Sequence, residues 1–243
     1  MRPLSALLGA ALLSGCIIEL TPDDLRLIEE LAVELAVEVE AEPPTDAITS
    51  GPLDALRRLP VREPAPRAGY DRDEFGPRWS DIDHNGCDQR NDVLARDMRR
   101  VTYRDATRDC VVTRGRLTDP YTGAEIDFVR GDRTSSQVQI DHVVALSNAW
   151  STGAQALDAD ARQQLANDPL NLLAVDGRAN QSKGDSDASQ WLPPNRATHC
   201  GYAARQVAVK AKYALWVTPA ERRALEGVLV GCADARPTKQ VQP

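Results

Sequence analysis

Ile140-Asp141-His142-Val143-Val144-Ala145-Leu146 is the stretch on which the fold turns. Ser136-Gln137-Val138-Gln139-Ile140 leads into it with alternating polar and apolar residues, the period of a half-buried strand, so a strand is predicted to deliver Asp141-His142 at its end. Asn171 then opens a second short apolar run, Leu172-Leu173-Ala174-Val175, which Asp176-Gly177 terminates. Arg178-Ala179-Asn180-Gln181-Ser182-Lys183-Gly184 follows at once.

Outward from this centre the pattern is mixed. Residues 88–100 put Val93, Leu94 and Met98 on one face at helical spacing. Cys110-Val111-Val112-Thr113 and Ile126-Asp127-Phe128-Val129 flank a turn-rich Asp119-Pro120-Tyr121-Thr122-Gly123 and read as a hairpin. Residues 156–167 are helical in pattern, and two further helices are expected near 203–214 and 218–230. No internal repeat or low-complexity block interrupts the chain.

The ordered set of Asp141-His142, Asn171-Leu172 and Asn180 followed by Lys183-Gly184 resembles the HNH, or ββα-metal, nucleases. Wider stretches are similar to a group of exported bacterial proteins related to the nuclease half of GmrSD-type restriction systems. They are Gly69-Tyr70-Asp71-Arg72, Phe75-Gly76, Asn85-Gly86-Cys87-Asp88 with Arg90-Asn91, and Trp191-Leu192-Pro193-Pro194. The resemblance covers about Leu53 to Cys232. It implies an α+β fold in which a ββα-metal core lies inside a helix-rich single domain. Asn180, coming just after Asp176-Gly177, would then sit in the first turns of a helix facing back at the strand that carries His142. The paired zinc cysteines of many HNH proteins are absent, so two disulfides would replace that staple.

Hydrolysis of a phosphodiester needs a base to activate water and a cation to stabilise charge on the phosphate and the departing oxygen. His142 suits the first task, because an ordinary imidazole with a pKa of ~6.5 is largely neutral at pH 7. Asp141 and the side-chain oxygen of Asn180 suit the second as ligands for Mg²⁺, or for another divalent ion such as Mn²⁺, since magnesium takes oxygen donors and keeps waters in its other positions. Asn171 completes the catalytic set by holding the loop that aims the base. Lys183 and Arg90 are candidate phosphate contacts, with a solvated place on a helix surface as the competing reading of each. Adjacent strand residues point to opposite faces, so Asp141 and His142 share one site only where the strand ends or bulges.

Asp81-Ile82-Asp83-His84-Asn85-Gly86 matches the opening of a calcium loop, with Asp81, Asp83 and Asn85 at its first, third and fifth positions and Asp92 at its twelfth. The same residues make an Asx-rich turn ahead of a helix. His199 adjoins Cys200 and is read as packed beside a disulfide. With 4 Trp, 5 Tyr and 2 Phe, a stacking platform for single strands finds little support, and Trp150, Trp191 and Trp216 are read as core. The expected partner is DNA, or RNA, held through its backbone with little sequence specificity. The rival reading is a non-catalytic surface lipoprotein that keeps the fold for binding, with Ca²⁺ at the Asp81 loop.

The chain opens on MRPLSALLGAALLSGC: one charge at Arg2, an apolar run from Leu4 to Leu13, then small residues before Cys16. The run is too short to cross ~30 Å of hydrocarbon, so residues 1–15 are read as a signal peptide and not a span. Leu13-Ser14-Gly15-Cys16 resembles the bacterial lipobox, so Cys16 is the expected lipidation site. With no transmembrane helix expected, an exported protein lipid-anchored to the cell envelope is predicted. Setting Cys16 aside leaves Cys87, Cys110, Cys200 and Cys232, an even number in an exported chain; of three connectivities, Cys87 with Cys110 and Cys200 with Cys232 each close a local loop.

The formal charge of −7 over 243 residues argues at first against a nucleic-acid partner. The charge is unevenly spread. Residues 17–46 hold ten acids against the single base Arg26, which leaves residues 47–243 at +1. Residues 16–52 are therefore read as an acidic tether, 53–233 as the folded domain and 234–243 as a flexible tail. A near-neutral domain can still present arginines such as Arg99, Arg100, Arg104 and Arg130 locally to phosphates.

Overall fold

A computed structural model describes residues 51–132 and 134–233. The expected signal peptide, the lipidation site at Cys16, nearly all of the tether and the tail lie outside the described residues. Helix α1 (Pro52–Arg58) opens them, with proline in its first turn and Leu56 fully buried. Helix α2 (Gln89–Asp97) is capped by Asp88, whose carboxylate accepts the Asn91 N–H at 2.9 Å, and it buries Val93 and Leu94 as the helical spacing predicts.

Here the structure departs from the expected helix over 88–100. The chain leaves α2 at Asp97, and Met98 begins strand β1 (Met98–Tyr103), paired antiparallel to β2 (Val112–Thr118), which pairs in turn with β3 (Glu125–Val129). The predicted hairpin is thus the second half of a three-stranded meander. Met98 packs where Gly115 leaves room for its side chain, so a cross-strand contact overrides the helical period. Register shifts at Thr102 hide the rest of β1 from any alternation test.

The predicted strand pair is present. Strand β4 (Val138–His142) pairs antiparallel with β5 (Leu172–Asp176) in unbroken register, from Val138 opposite Asp176 to His142 opposite Leu172. Two helices bridge them. Helix α3 (Leu146–Ser151) buries five of its six residues and so carries no amphipathic signature, whereas α4 (Ala159–Asn167) is capped by Asp158 and lies in the predicted region. Helix α5 (Gly177–Lys183) follows β5 directly: Asp176 accepts the Arg178 and Ala179 N–H groups, and Gly184, at φ +52°, ends it. A Cβ at Gly177 would collide with the Ser136 carbonyl oxygen, so only glycine lets α5 start this close to β4. Helices α6 (His199–Lys212) and α7 (Pro219–Ala233) close the fold.

The β4–β5 pair separates two packed regions. Val138, Ile140, Leu172 and Ala174 face α2 and the meander, joining Val93, Leu94, Val112, Leu117 and Phe128. Val143, Val175 and Ala179 face Tyr121 and Tyr202 on the other side. The fold is the mixed α+β domain expected, with a ββα unit (β4, β5, α5) at its centre, and the disulfides are Cys87–Cys110 and Cys200–Cys232. Among the described residues no helix is long and apolar enough to cross a membrane.

Candidate active site

Strand β4 ends at His142 without a bulge, so Asp141 and His142 leave it on opposite faces, yet both reach one cleft of about 250 Å³ that opens at the strand end. Asn180 lines the same cleft from α5, and Tyr70, Arg72 and Asp185 line its rim. The structure thus brings His142, Asp141 and Asn180 together.

His142 Nε2 lies 2.8 Å from the Ala166 carbonyl oxygen. A carbonyl only accepts, so Nε2 carries the proton and Nδ1 keeps its lone pair. The ring also stacks nearly parallel on Trp79, with planes 10° apart and centroids at 6.3 Å. Trp79 is held there because the next residue is tied to α4: the Ser80 N–H donates to Asn167 Oδ1 at 3.0 Å, and Gln163 Nε2 donates to Ser80 Oγ at 3.0 Å. Burial, with Arg72, Lys183 and Arg78 nearby, pushes the imidazole pKa down to about 3 against the opposing pull of the Ala166 carbonyl, so the ring is neutral over the physiological range.

Asn171 is fully buried, and its amide clamps the cleft loop. Its Oδ1 accepts the Val144 N–H at 2.8 Å, and its Nδ2 donates to the carbonyls of Val144 and Leu165, each at 3.3 Å. The loop that leaves β4 after His142 is therefore tied to the start of β5 by side-chain as well as backbone bonds.

Asp141 is 5% exposed, and both carboxylate oxygens are engaged. Lys183 Nζ donates to Oδ1 at 2.9 Å, and the Tyr121 hydroxyl donates to Oδ2. Burial raises the Asp141 pKa, and Lys183 and Tyr121 oppose that rise. Asn180 donates its Nδ2 to Gln139 Oε1 at 2.9 Å, which fixes the amide and leaves Oδ1 without a hydrogen-bond partner among the described residues. Gln139 stands two residues before Asp141 on the same strand face, so one face of β4 organises both oxygen donors.

Two assignments need correction. Lys183 is neither a phosphate contact nor a solvated helix residue: it is 1% exposed, and its ammonium is divided between Asp141 and the His142 carbonyl oxygen at 2.8 Å. A lysine can be buried here because a carboxylate and a carbonyl receive it. Arg90 lies outside the cleft and donates to the carbonyls of Ser135 and Val138, at 3.5 and 3.3 Å, bracing the entry to β4 from α2. In the candidate calcium loop, Asp81 accepts the N–H groups of Asn85 and Gly86, Asp83 that of Asn85, and Asn85 Oδ1 that of Cys87. This is an array of Asx turns, and Asp92, on α2, turns its carboxylate to Asn85, its pKa raised by burial and by Asp83, Asp81 and Asp88. Among the described residues no group of three or more His, Cys, Asp or Glu side chains is placed to hold a metal ion. Of the arginines read as available to phosphates, Arg99 is paired with Glu125 at 3.2 Å, and Arg130 donates to the Val112 carbonyl and Asn91 Oδ1. His199 Nε2 bonds the Pro193 carbonyl oxygen at 2.7 Å beside the Cys200–Cys232 bridge.

Sequence reasoning missed Tyr121, Gln139 and Trp79. Tyr121 stands in a turn and Trp79 in a loop, where nothing local announces a role. Gln139 shows only as the polar member of an alternating strand.

The chain was compared with known proteins. The model of the GmrSD restriction endonucleases, C-terminal domain, matches residues 88–228, a span that contains the whole ββα unit and all three cleft residues. A protein of Arthroderma benhamiae described as an uncharacterized secreted protein is 39% identical over 210 residues, covering 83% of this chain and 98% of that protein. No solved structure matches the chain. The match spans more than half of the 243 residues and includes each side chain of the cleft constellation, so the chain belongs to the GmrSD restriction endonuclease C-terminal domain family, which points to a nuclease-type enzyme.

Proposed function

We propose that the protein is an exported, lipid-anchored HNH-type endonuclease that hydrolyses phosphodiester bonds of DNA, and of RNA, with a divalent metal and little sequence specificity. The observation that carries this reading is the state of His142: one ring nitrogen is committed to a backbone carbonyl, and the other is an open acceptor on a cleft shared with Asp141 and Asn180. A neutral imidazole held in one tautomer is suited to take a proton from water. Asn171 and Ala166 aim it, and Trp79 limits its rotation.

The donor set fits a hard cation. Asn180 Oδ1 is free, and the Asp141 carboxylate, though hydrogen-bonded, keeps lone pairs beyond those Lys183 and Tyr121 use. Asp141 and Asn180 would hold Mg²⁺ or Mn²⁺, which when bound stabilises charge on the phosphate and the leaving oxygen. Lys183 opposes the rise that burial imposes on the Asp141 pKa and holds one carboxylate oxygen, and Tyr121 holds the other. Purified full chain is expected to nick supercoiled plasmid with Mg²⁺ and to stop on addition of EDTA. Asn180→Ala should lower the rate at limiting Mg²⁺ far more than at saturating Mg²⁺; equal losses at both would remove Asn180 from the metal.

Export is supported by the signal-like opening of the chain and by the description of the Arthroderma benhamiae relative as secreted. Anchoring rests on the lipobox-like residues before Cys16. The full chain expressed in a bacterium should partition into the detergent phase and Cys16→Ser should shift it to the aqueous phase; aqueous partitioning of the parent would sink the anchor.

A further inference from the structure

With Arg90 and Lys183 committed elsewhere, the cleft's charges leave one cation without an ion-pair contact among the described residues. Asp141 is neutralised by Lys183, and Asp185 by Arg67 at 2.7 Å. Arg72 has no carboxylate in ion-pair contact among the described residues, and its guanidinium donates only to the Gly76 carbonyl oxygen at 3.5 Å. It is half-buried, the like charge of Arg78 adds to the cost of that burial, and Tyr70 and the Asp73 carboxylate offset it only in part, since the net shift of its pKa is downward. A guanidinium carries five N–H donors, so most of those on Arg72 are unspent at the rim of the cleft that holds His142 and Asn180. A partly dehydrated cation with unspent donors is stabilised when an anion comes against it.

The backbone that carries Arg72 is fixed in advance. Asp71 caps the single 3₁₀ turn Arg72–Phe75 by accepting the Asp73 N–H at 2.8 Å. Phe75, fully buried, anchors the end of that turn against Tyr70 and Trp150. Arg162 on α4 donates to the Glu74 carbonyl at 2.7 Å and to its carboxylate at 3.1 Å. The segment is therefore strapped to the same helix whose Ala166 carbonyl orients His142, which sets the distance from Arg72 to the base.

We infer that Arg72, with Arg78 beside it, forms an anion subsite that takes a backbone phosphate of the nucleic acid at the mouth of the His142 cleft. This rests on the nuclease reading for the nature of the ligand. A forked, permanently charged guanidinium suits a phosphate diester, whose two free oxygens accept in parallel. Both arginines lie upstream of the matched residues 88–228, although Gly69-Tyr70-Asp71-Arg72 is among the stretches of the wider resemblance.

The test is binding, separated from chemistry. A short fluorescein-labelled DNA duplex is titrated in EDTA against the full chain carrying His142→Ala, alone and with Arg72→Ala, Arg72→Gln, Arg72→Lys, Arg78→Ala or, as a control on α7, Arg223→Ala. Arg72→Ala and Arg72→Gln should each weaken binding about tenfold at low salt and reduce the slope of log affinity against log salt by about one. Arg72→Lys should keep the slope but recover only part of the affinity, Arg78→Ala should cost a few-fold, and Arg223→Ala should cost nothing. Gln spares the packing should Ala disturb it, and a common thermal midpoint shows that folding is equal. Unchanged affinity and slope in both Arg72 variants would overturn the subsite even with the parent cleaving DNA. A slope loss at Arg72 in a protein whose parent chain cleaves nothing with any divalent ion would keep the subsite and retire the nuclease reading.

Discussion

His142→Ala is expected to lower plasmid nicking by about 10³-fold, in the range lost when a positioned general base is removed. The protein should fold as before, because the ring's one direct bond is to the Ala166 carbonyl, at the edge of the cleft. Single-turnover cleavage at saturating Mg²⁺ isolates the chemical step, and near-parental turnover would remove His142 from the mechanism whatever the fold. The same variant reports on proton linkage. In the folded protein the His142 pKa is pushed from an ordinary 6.5 down to about 3. Between these values the unfolded chain binds a proton that the native ring does not, so unfolding becomes easier as pH falls below 6.5, and the effect is complete below about 3. At ~1.4 kcal/mol per pH unit, this group withdraws about 2 kcal/mol between neutral pH and pH 5. His142→Ala should lack that part of the acid destabilisation, measured as the shift in urea midpoint between the two pH values; parallel losses in both proteins would contradict the depressed pKa.

Lys183→Met should be the most destabilising substitution at the site. Lys183 and Asp141 are 0% and 6% exposed at their side chains. Removing the ammonium leaves a buried carboxylate with one neutral donor, Tyr121, and withdraws the bond to the His142 carbonyl that secures the end of β4. Breaking one side of a buried pair costs about 3–5 kcal/mol, much of it the uncompensated charge that remains. Adding Asp141→Asn should recover a large part of that loss, since the double variant buries no net charge. Urea denaturation of the four proteins gives the coupling, with an unchanged m-value as the check that folding stays two-state. A loss below about 1 kcal/mol for Lys183→Met would mean that Asp141 is solvated or protonated in the native state, and the pair would not be holding an ionised ligand.

Much of the centre was legible from residue order. The alternation of residues 136–140, the apolar run from Leu172 and the Asp176-Gly177 stop predict β4, β5 and the start of α5, and all three form, with β4 starting at Val138 because Ser135–Gln137 closes a 3₁₀ turn ahead of it. They were legible because the local preference and the tertiary environment agree: one face of β4 meets α2 and the meander, the other meets α5. The disulfides were legible from number and loop length alone. Strand β1 was not, since its register shifts break the period and Met98 is drawn out of a helix by its place over Gly115.

Polar side chains divide differently. That Asp141, His142 and Asn180 meet was an expectation of the HNH resemblance, since alternation alone puts Asp141 and His142 on opposite faces of the strand. What each one touches could not. The hydroxyl of Tyr121, twenty residues before Asp141, reaches it only because the turn after β2 folds against β4. Lys183 turns inward although its neighbours Gln181 and Ser182 are exposed, and Arg90 braces a strand instead of facing the cleft. Backbone patterns are written in short-range periodicity, whereas the partner of a charged side chain is chosen by what lies within about 3 Å after folding, where an unpaired buried charge is too costly to persist. The order of residues thus settled the ββα scaffold, and the folded chain settled that three side chains share one cleft, which cations serve the interior, and that Arg72 lines the cleft with no ion-pair contact among the described residues.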